Sequence, residues 1–224
     1  SYSQPENIIT KSQVSILYLK GYESLPSSTI VSILLENLFN HRSAGNKTIP
    51  PFFTIVEEAQ NFIPSRAEGQ DGYPSVETIK KISTEGRKFG VGLMIVTQRP
   101  YKLDETVCSQ MNSYIILRLK NERDQRFVKN TMENWDDEVA RQLPNFANGQ
   151  GIVSGQITNL PLTVKIKFDA DLVNSDLGDE NFIKDVQNWK ESEKTKKKKG
   201  FYKNFEKIFQ SDQRKPNWSL ILFY

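Results

Sequence analysis

Phe52–Ser65 reads FFTIVEEAQNFIPS and Ser83–Pro100 reads STEGRKFGVGLMIVTQRP, and these two segments decide the fold of the chain. Each contains a short apolar run, rich in β-branched residues, that stops at polar side chains as a buried strand does. A helical pattern lies between the two runs, near Ser75–Phe89. The order strand, helix, strand is typical of a parallel sheet covered by helices.

The same alternation extends to both sides of this pair. A helix is predicted at Pro26–Phe39, where apolar residues recur at helical spacing. Further strands are predicted at Val14–Leu19, Tyr114–Leu119, Gly149–Ser154 and Leu162–Phe168, the last two as a closing β-pair. The sequence therefore predicts an α/β fold with a parallel sheet covered on both faces, ending near residue 168.

Composition excludes several classes of protein. The single cysteine, Cys108, excludes a disulfide framework within the chain, and the single histidine, His41, excludes multi-histidine metal sites. No apolar run approaches the roughly 18–20 residues of a membrane span, and no signal-peptide pattern is present. We expect a cytoplasmic protein without a membrane partner, and a fragment is one possibility because the chain opens on Ser1.

The formal net charge of +3 hides an asymmetry. Residues 1–190 hold 21 Lys and Arg against 23 Asp and Glu, whereas residues 191–224 hold 9 against 4. The excess is concentrated in Lys194 and Lys196–Lys199. A basic run can contact phosphates, but it is more often a solvated segment. Net charge alone therefore does not indicate a nucleic-acid-binding protein.

Polar side chains suited to binding a nucleotide follow two of the predicted strands, and ligands bind at the carboxyl ends of strands in such sheets. Glu57 and Glu58 follow one strand, Gln98 and Arg99 follow the next, and Arg87 ends the helix between them. One carboxylate could hold Mg²⁺ through water, and the other could activate a water for attack on a phosphate. The Gln98 amide could contact both water and phosphate, and the Arg87 guanidinium could neutralise transition-state charge.

Each of these features also has a purely structural explanation. Paired acids after a strand often begin a solvated loop, and a cation near a helix C-terminus is favourable without any function. What favours chemistry is the expectation that all three features share one edge of one sheet. A nucleotide site of this kind also needs a Gly-rich loop that ends in Lys-Ser or Lys-Thr. The nearest stretch, Ser43–Thr48, lacks the Gly-Lys pair and precedes a strand, so either the chain is no NTPase or the loop lies upstream of Ser1.

The motifs FTIVEEAQNFIPS and STEGRKFGVGLMIVTQRP resemble those of the HerA family of archaeal hexameric DNA translocases, in the HerA/FtsK group of ATPases. The resemblance continues more loosely through Tyr114–Arg118 and the segment LPNFANGQGIVSG. It implies a partial RecA-like domain, a parallel β-sheet flanked by helices, with a helical extension. Residues 1–168 would be the C-terminal part of the ATPase domain, its phosphate loop missing upstream, and 169–224 a helical, Lys-rich extension.

The family resemblance also implies ligands, partners and residue roles. It implies ATP and Mg²⁺, a hexameric ring around double-stranded DNA, a NurA-type nuclease acting with it in DNA end resection, and no hydrolysis by the fragment alone. Glu57 would lie on the metal side, Glu58 would activate water, and Gln98 would sense the γ-phosphate beside Arg99. Arg87 would be the arginine finger supplied to a neighbouring subunit, with Arg99 or Arg118 as competitors. The usual family residue at position 57 is Asp, so Glu57 departs from the pattern.

Two surface features of the sequence remain open at this stage. Candidate DNA contacts are Arg66, Lys80, Lys81 and Lys102. The apolar terminus Trp218–Tyr224, preceded by amphipathic patterns over residues 181–209, is expected to dock on a neighbouring subunit or partner, or to pack within the molecule. The alternatives to a HerA-type motor are a conjugation- or packaging-type DNA pump and a non-enzymatic assembly module. A metal-dependent nuclease is less favoured, because no His or Lys lies near the two carboxylates.

Overall fold

The computed structural model describes residues 4–19, 21–45, 47–69, 71–131, 137–158, 160–169 and 219–223. The chain divides into two units, residues 1–166 with 216–224, and residues 167–215. All the described helices and strands belong to the first unit. The amphipathic patterns predicted over 181–209, and the lysine run with them, lie outside the described residues.

Helices and strands alternate along most of the first unit. The helices are α1 (Pro5–Ile8), α2 (Ser24–Ser43), α3 (Pro74–Phe89), α4 (Glu105–Ser109), α5 (Glu122–Thr131) and α6 (Asp137–Gln142). The strands are β1 (Val14–Leu17), β2 (Phe52–Val56), β3 (Val91–Ile95), β4 (Ser113–Leu117), β5 (Gln150–Gly155), β6 (Leu162–Lys165) and β7 (Ser219–Phe223). Short 3₁₀ turns at Ala59–Asn61, Arg66–Glu68, Pro100–Lys102 and Leu143–Asn145 connect them.

The main sheet consists of four parallel strands in the order β1-β7-β2-β3. Strand β2 pairs with the edge strand β3, in a register that sets Phe52 opposite Val91 and Val56 opposite Ile95. Helix α3 makes the crossover between these two strands, as the order strand, helix, strand predicts. The predicted α/β fold with a parallel sheet and flanking helices is confirmed.

Helices α2 and α3 bury one face of this sheet. Their apolar residues recur every three or four positions, so that each helix presents one continuous stripe to the core. The stripes are Val31, Leu35 and Leu38 on α2 and Val76, Ile79 and Ile82 on α3, all almost fully buried. They share one cluster with Phe52 and Val56 of β2. Each such side chain contributes roughly 1.5–3 kcal/mol when it leaves water, so this layer dominates the stability of the unit.

The opposite face of the main sheet is open within the described residues. Side chains alternate along β2, and Phe53 points away from the α2–α3 layer with 38% of its surface exposed. Met94 on β3 has the same exposed fraction, 38%. The ring of Phe53 lies over Gly92, where an added Cβ would come within 2.2 Å of it. The expectation of helices on both faces is therefore met on one face only in the part of the chain that is described.

Strand β4 departs from its predicted place. Tyr114–Leu119 was expected as a further parallel strand, whereas β4 pairs antiparallel with β5, and β5 with β6, in a separate three-stranded sheet. Ile116 is buried, while its neighbours Ile115 and Leu117 are about half exposed. Such a half-buried strand suits an antiparallel sheet with one solvated face, and not a sheet covered on both sides. The predicted closing β-pair corresponds to β5 and β6.

The C-terminal residues form a strand of the main sheet. Strand β7 lies between β1 and β2, with Leu220 opposite Val14 and Phe53 on its two sides. Of the two expectations for this terminus, packing within the molecule is the one found for 219–223, and these residues are not part of a helical extension. An apolar run is typical of a strand within a parallel sheet, which agrees with the composition of this terminus.

A buried arginine fixes the end of helix α3 against the start of β2. Arg42, only 6% exposed, donates from Nε to the carbonyl of Phe89 at 2.8 Å and from Nη1 to that of Ile49 at 2.9 Å. Gly90 ends α3 with φ +74°, a left-handed conformation that favours glycine, and a Cβ there would lie 2.9 Å from Arg42 Nη2. The guanidinium thus satisfies carbonyls that would otherwise be buried without donors.

Replacing Arg42 by methionine should strongly destabilise the fold. The substitution keeps the aliphatic stem but leaves two buried carbonyls unsatisfied, at roughly 1–3 kcal/mol each, so we expect a loss of about 2–6 kcal/mol in the free energy of unfolding. Urea unfolding of the chain measures this. The matched control is Arg126→Met, which removes an exposed guanidinium paired with Glu122 at 3.3 Å and should cost only about 0.3–0.5 kcal/mol. Equal losses in the two variants would contradict the capping role.

Candidate active site

The ends of β2 and β3 bring two predicted residues together. Hydrogen bonding continues beyond the strands, because Val96 N–H donates to the Val56 carbonyl at 2.9 Å and Ala59 N–H donates to the Val96 carbonyl at 3.1 Å. The residues that follow each strand therefore lie side by side. Gln98 Nε2 donates to Glu58 Oε1 at 3.1 Å, across 40 positions of sequence. Two of the three sequence features expected at one edge thus make direct contact there.

The backbone of Glu58 adopts an unusual conformation. Its φ and ψ are both 46°, in the left-handed region that non-glycine residues seldom enter. A residue held there costs of order 1–3 kcal/mol, which the surrounding structure must offset, and such residues cluster at functional sites. The 3₁₀ turn Ala59–Asn61 begins directly after it. The chain accepts this strain at the carboxylate proposed from sequence to activate water.

Glu57 lies half-buried beside Glu58. Burial raises the pKa of the Glu57 carboxyl above its ordinary value, and the adjacent Glu58 charge raises it further. Both effects disfavour the ionised form, and a bound cation would relieve both. Carboxylate oxygens are the ligands that Mg²⁺ prefers, so the donor chemistry of Glu57 fits a water-mediated magnesium contact.

Two further polar residues contact this site, and the sequence analysis did not select them. Gln60 Nε2 donates to Glu58 Oε2 at 2.6 Å, and Thr97 Oγ1 donates to Gln60 Oε1 at 2.7 Å. The backbone N–H of Arg99 donates in turn to Thr97 Oγ1 at 3.0 Å. Glutamine and threonine carry no pattern that distinguishes them from surface residues. The sequence offered one signal only, which is proximity: Gln60 lies two residues after Glu58, and Thr97 lies directly before Gln98.

Arg99 lies in a turn that α5 holds in place. Asp124 of α5, 4% exposed, accepts a hydrogen bond from the backbone N–H of Tyr101 at 3.2 Å. Burial raises the pKa of the Asp124 carboxyl, while the Tyr101 hydrogen bond and the Arg99 charge act in the opposite direction. The Arg99 side chain is exposed, and its charge acts on Asp124. Arg99 therefore contributes charge to the anchoring of this turn, which follows β3.

Arg87 does not share the edge of Glu58 and Gln98 within one chain. It lies in the last turn of α3, the helix that runs antiparallel to the strands. Gly90, which ends this helix, accepts a hydrogen bond from the backbone N–H of Phe52 at 3.1 Å. That contact is at the start of β2, and a five-residue strand separates its two ends by about 16 Å. The expectation that all three features meet at one edge is wrong for Arg87, because a crossover helix returns the chain to the opposite edge.

Most of the candidate DNA contacts are engaged with other side chains. Lys80 Nζ lies 3.5 Å from Asp104 and 3.3 Å from Glu77, and Lys102 Nζ lies 2.7 Å from Glu68. Lys81 Nζ lies 5.0 Å from the centre of the Phe39 ring, a cation–π distance. Arg66 is exposed in a 3₁₀ turn.

Within the described segments, no three histidine, cysteine, aspartate or glutamate side chains gather as a protein-only metal cluster requires. Among the helices of the same segments, none is both long enough and apolar enough to cross a membrane.

Curated relatives identify the family. The DNA double-strand break repair helicase HerA of Saccharolobus solfataricus is 32% identical over 174 residues, 75% of this chain and 34% of that protein. HerA of Pyrococcus furiosus is 40% identical over 116 residues, 52% of this chain and 20% of that protein. A probable helicase of Methanocaldococcus jannaschii is 36% identical over 71% of this chain and 31% of that protein. This chain belongs to the HerA family. It spans about a third or less of the length of these HerA-family relatives.

Solved structures agree on the fold of this HerA-family chain. The genome packaging NTPase B204 of Sulfolobus turreted icosahedral virus 2, in complex with AMPPCP, matches with a TM-score of 0.56 at 16% identity. The match covers 75% of this chain and 73% of that one. The same protein in complex with AMP gives a TM-score of 0.52. At this identity the likeness shows a shared α/β fold and no more. No family model matches the chain.

Neutralising Glu57 should stabilise the protein in a pH-dependent way. Its pKa is raised in the folded state, so its contribution to stability is lost as pH rises from its ordinary value of 4.5 through the folded pKa. Glu57→Gln should therefore unfold at a higher temperature than the wild type at pH 7, and the gap should close as pH falls below about 4.5. Thermal unfolding across this range measures it, with the exposed Glu85→Gln on α3 as control. A gap that does not vary with pH would contradict the assignment.

Proposed function

We propose that this chain is the C-terminal part of the ATPase domain of a HerA-type, ATP-driven translocase of double-stranded DNA. The observation that carries the proposal is the contact between Glu58 and Gln98 at the ends of two adjacent parallel strands. A carboxylate and an amide at this position suit the activation of a water and the recognition of a phosphate oxygen. The DNA substrate and the motor activity in this proposal are inferred from the HerA relatives, which are named DNA double-strand break repair helicases.

Each side chain at the strand ends has a task in ATP hydrolysis under this proposal. Glu58 accepts the proton of the attacking water, and Gln98 donates its amide N–H to the γ-phosphate. Glu57 holds Mg²⁺ through water, and the ion supplies charge neutralisation at the phosphates when bound. The Glu57 side chain is longer than an aspartate by one methylene, which extends its reach towards a metal-bound water.

The phosphate cradle is proposed to come from residues outside 1–224. Among the described residues, nothing pairs with the outer edge of β3, so this edge can accept a further strand beside Gln98. The stretch Ser43–Thr48 precedes β2 and therefore lies at the opposite edge from Glu58. The matched parts cover only 34% and 20% of two HerA relatives, which leaves ample room for such a segment.

Assembly and partners follow from the same proposal. Arg87, at the far edge of its own sheet, can serve only the site of a neighbouring subunit, which a hexameric ring would provide. Double-stranded DNA as substrate, a NurA-type nuclease as partner in end resection, and an intracellular, DNA-associated location belong to the proposal as well. A packaging-type pump would use the same site, but identities of 32–40% to HerA proteins favour the repair motor. A non-enzymatic assembly module would have no use for the strained Glu58.

Removing the carboxylate of Glu58 should abolish ATP turnover in the complete protein that contains this chain. Because Glu58→Gln removes the proposed base while keeping the length and shape of the side chain, we expect kcat to fall by about 10²–10⁴-fold. DNA-stimulated ATP hydrolysis measures this, with nucleotide binding as a check on folding. Glu85→Gln on the exposed side of α3 is the matched control and should leave kcat unchanged. Residues 1–224 alone should show no turnover above background, and Glu58-independent hydrolysis by the complete protein would refute the proposal.

Mixing two inactive variants should restore part of the activity if Arg87 acts across a subunit interface. In a ring built from Arg87→Ala and Glu58→Gln subunits, some interfaces pair an intact Glu58 with an intact Arg87 of the neighbour. We expect kcat to fall by about 10²–10⁴-fold in Glu58→Gln alone and by about 10³–10⁵-fold in Arg87→Ala alone, and the mixture to recover a measurable fraction. Lys88→Ala, which removes the adjacent exposed cation, is the control. A mixture no more active than its components would exclude Arg87 as the finger.

A further inference from the structure

Four residues at the candidate site form a one-way chain of hydrogen bonds. The backbone N–H of Arg99 donates to Thr97 Oγ1 at 3.0 Å, Thr97 Oγ1 donates to Gln60 Oε1 at 2.7 Å, and Gln60 Nε2 donates to Glu58 Oε2 at 2.6 Å. A hydroxyl has one proton, and Thr97 donates it to Gln60 while its oxygen accepts from the backbone N–H of Arg99. Every donor thus faces towards the carboxylate of Glu58, and hydrogen bonds aligned in this way reinforce one another.

Thr97 decides which way the Gln60 amide points. With Oε1 held by the hydroxyl, Nε2 must face Glu58 and donate to it. The reversed amide would set two oxygens against each other at the carboxylate and leave Thr97 without its acceptor. A single hydroxyl, two residues beyond the end of β3, therefore orients a donor that reaches the carboxylate beyond the end of β2.

The two donors on Glu58 are unequal. Gln60 reaches Oε2 at 2.6 Å in a half-buried position, whereas Gln98 reaches Oε1 at 3.1 Å in an exposed one. Gln98 is anchored by no further side-chain bond in this chain of contacts, and it is the group proposed to turn towards phosphate. When Gln98 leaves, Glu58 loses the weaker donor and keeps the stronger one. Oε1 is then free to accept a proton from water, while Oε2 remains fixed.

We propose that Gln60 and Thr97 are positioning residues that hold Oε2 of Glu58 so that Oε1 alone serves as the base. This inference rests on the proposed function, since it assigns these residues a purpose in the same reaction. It also explains how a carboxylate on a strained, non-helical turn keeps one orientation. Neither residue is required to touch the nucleotide.

The first experiment observes the Gln60 side-chain amide of residues 1–224 by nuclear magnetic resonance. In the wild type and in Thr97→Ser, which keeps the hydroxyl, both amide protons should resonate away from the positions of solvent-exposed glutamines. Thr97→Val keeps the shape but removes the hydroxyl, and the Gln60 amide resonances should move to the exposed positions. Thr84→Val is the matched control, because that hydroxyl bonds only to carbonyls within α3. A Gln60 amide unchanged by Thr97→Val would overturn the inference.

The second experiment measures ATP turnover in the complete protein. Thr97→Val should lower kcat by about 10- to 100-fold with the KM for ATP unchanged, because misplacing a base affects the reaction more than binding. Thr97→Ser should restore most of the loss, which a simple packing defect would not. If Glu58→Gln abolishes turnover while Thr97→Val and Thr97→Ser equal the wild type, the inference fails and the proposed function stands. If Glu58→Gln itself has no effect, the proposed function fails and the inference with it.

Discussion

Because β2 and β3 run parallel and in register, Val56 and Ile95 end side by side, and the residues after them share one edge. Everything at the candidate site depends on this pairing. It places Glu58 against Gln98, and it sets the turn that begins at Ala59 against the carbonyl of Val96. A slip of one residue would exchange the buried and exposed faces of β2 and separate the carboxylate from the amide. The α2–α3 core and the Arg42 contacts at the start of β2 hold this register.

The sequence allowed the part of the site that follows from connectivity to be predicted. Glu58 and Gln98 end successive strands joined by one crossover helix, and successive parallel strands are usually neighbours, so their meeting followed from the pattern. The same rule, applied to the helix, places Arg87 at the opposite edge. Gln60 and Thr97 could not be found in this way, because ordinary polar residues acquire a role only through a side-chain contact across 37 positions.

The two strands that departed from prediction show what an apolar run leaves undetermined. Strand β4 is mostly apolar, as β3 is, yet it pairs antiparallel with β5 in a separate sheet. Strand β7 joins the main sheet between β1 and β2, although it follows β2 by more than 160 residues. An apolar run indicates that a strand will pack against other residues, but it does not identify the neighbouring strand. For β7 the neighbouring strands are β1 and β2 of the same chain.

Under the proposed function, the charges at the site call for contributions from outside the described residues. Glu57 and Glu58 place two carboxylates next to each other, and both causes that raise the pKa of Glu57 oppose its ionisation. The nearby cations serve elsewhere: Arg99 acts on Asp124, and Lys102 pairs with Glu68. Arg87 lies at the far edge of the sheet. Under the proposed function, this edge would draw further positive charge from a bound metal ion and from Arg87 of a neighbouring subunit, and activity would then depend on assembly.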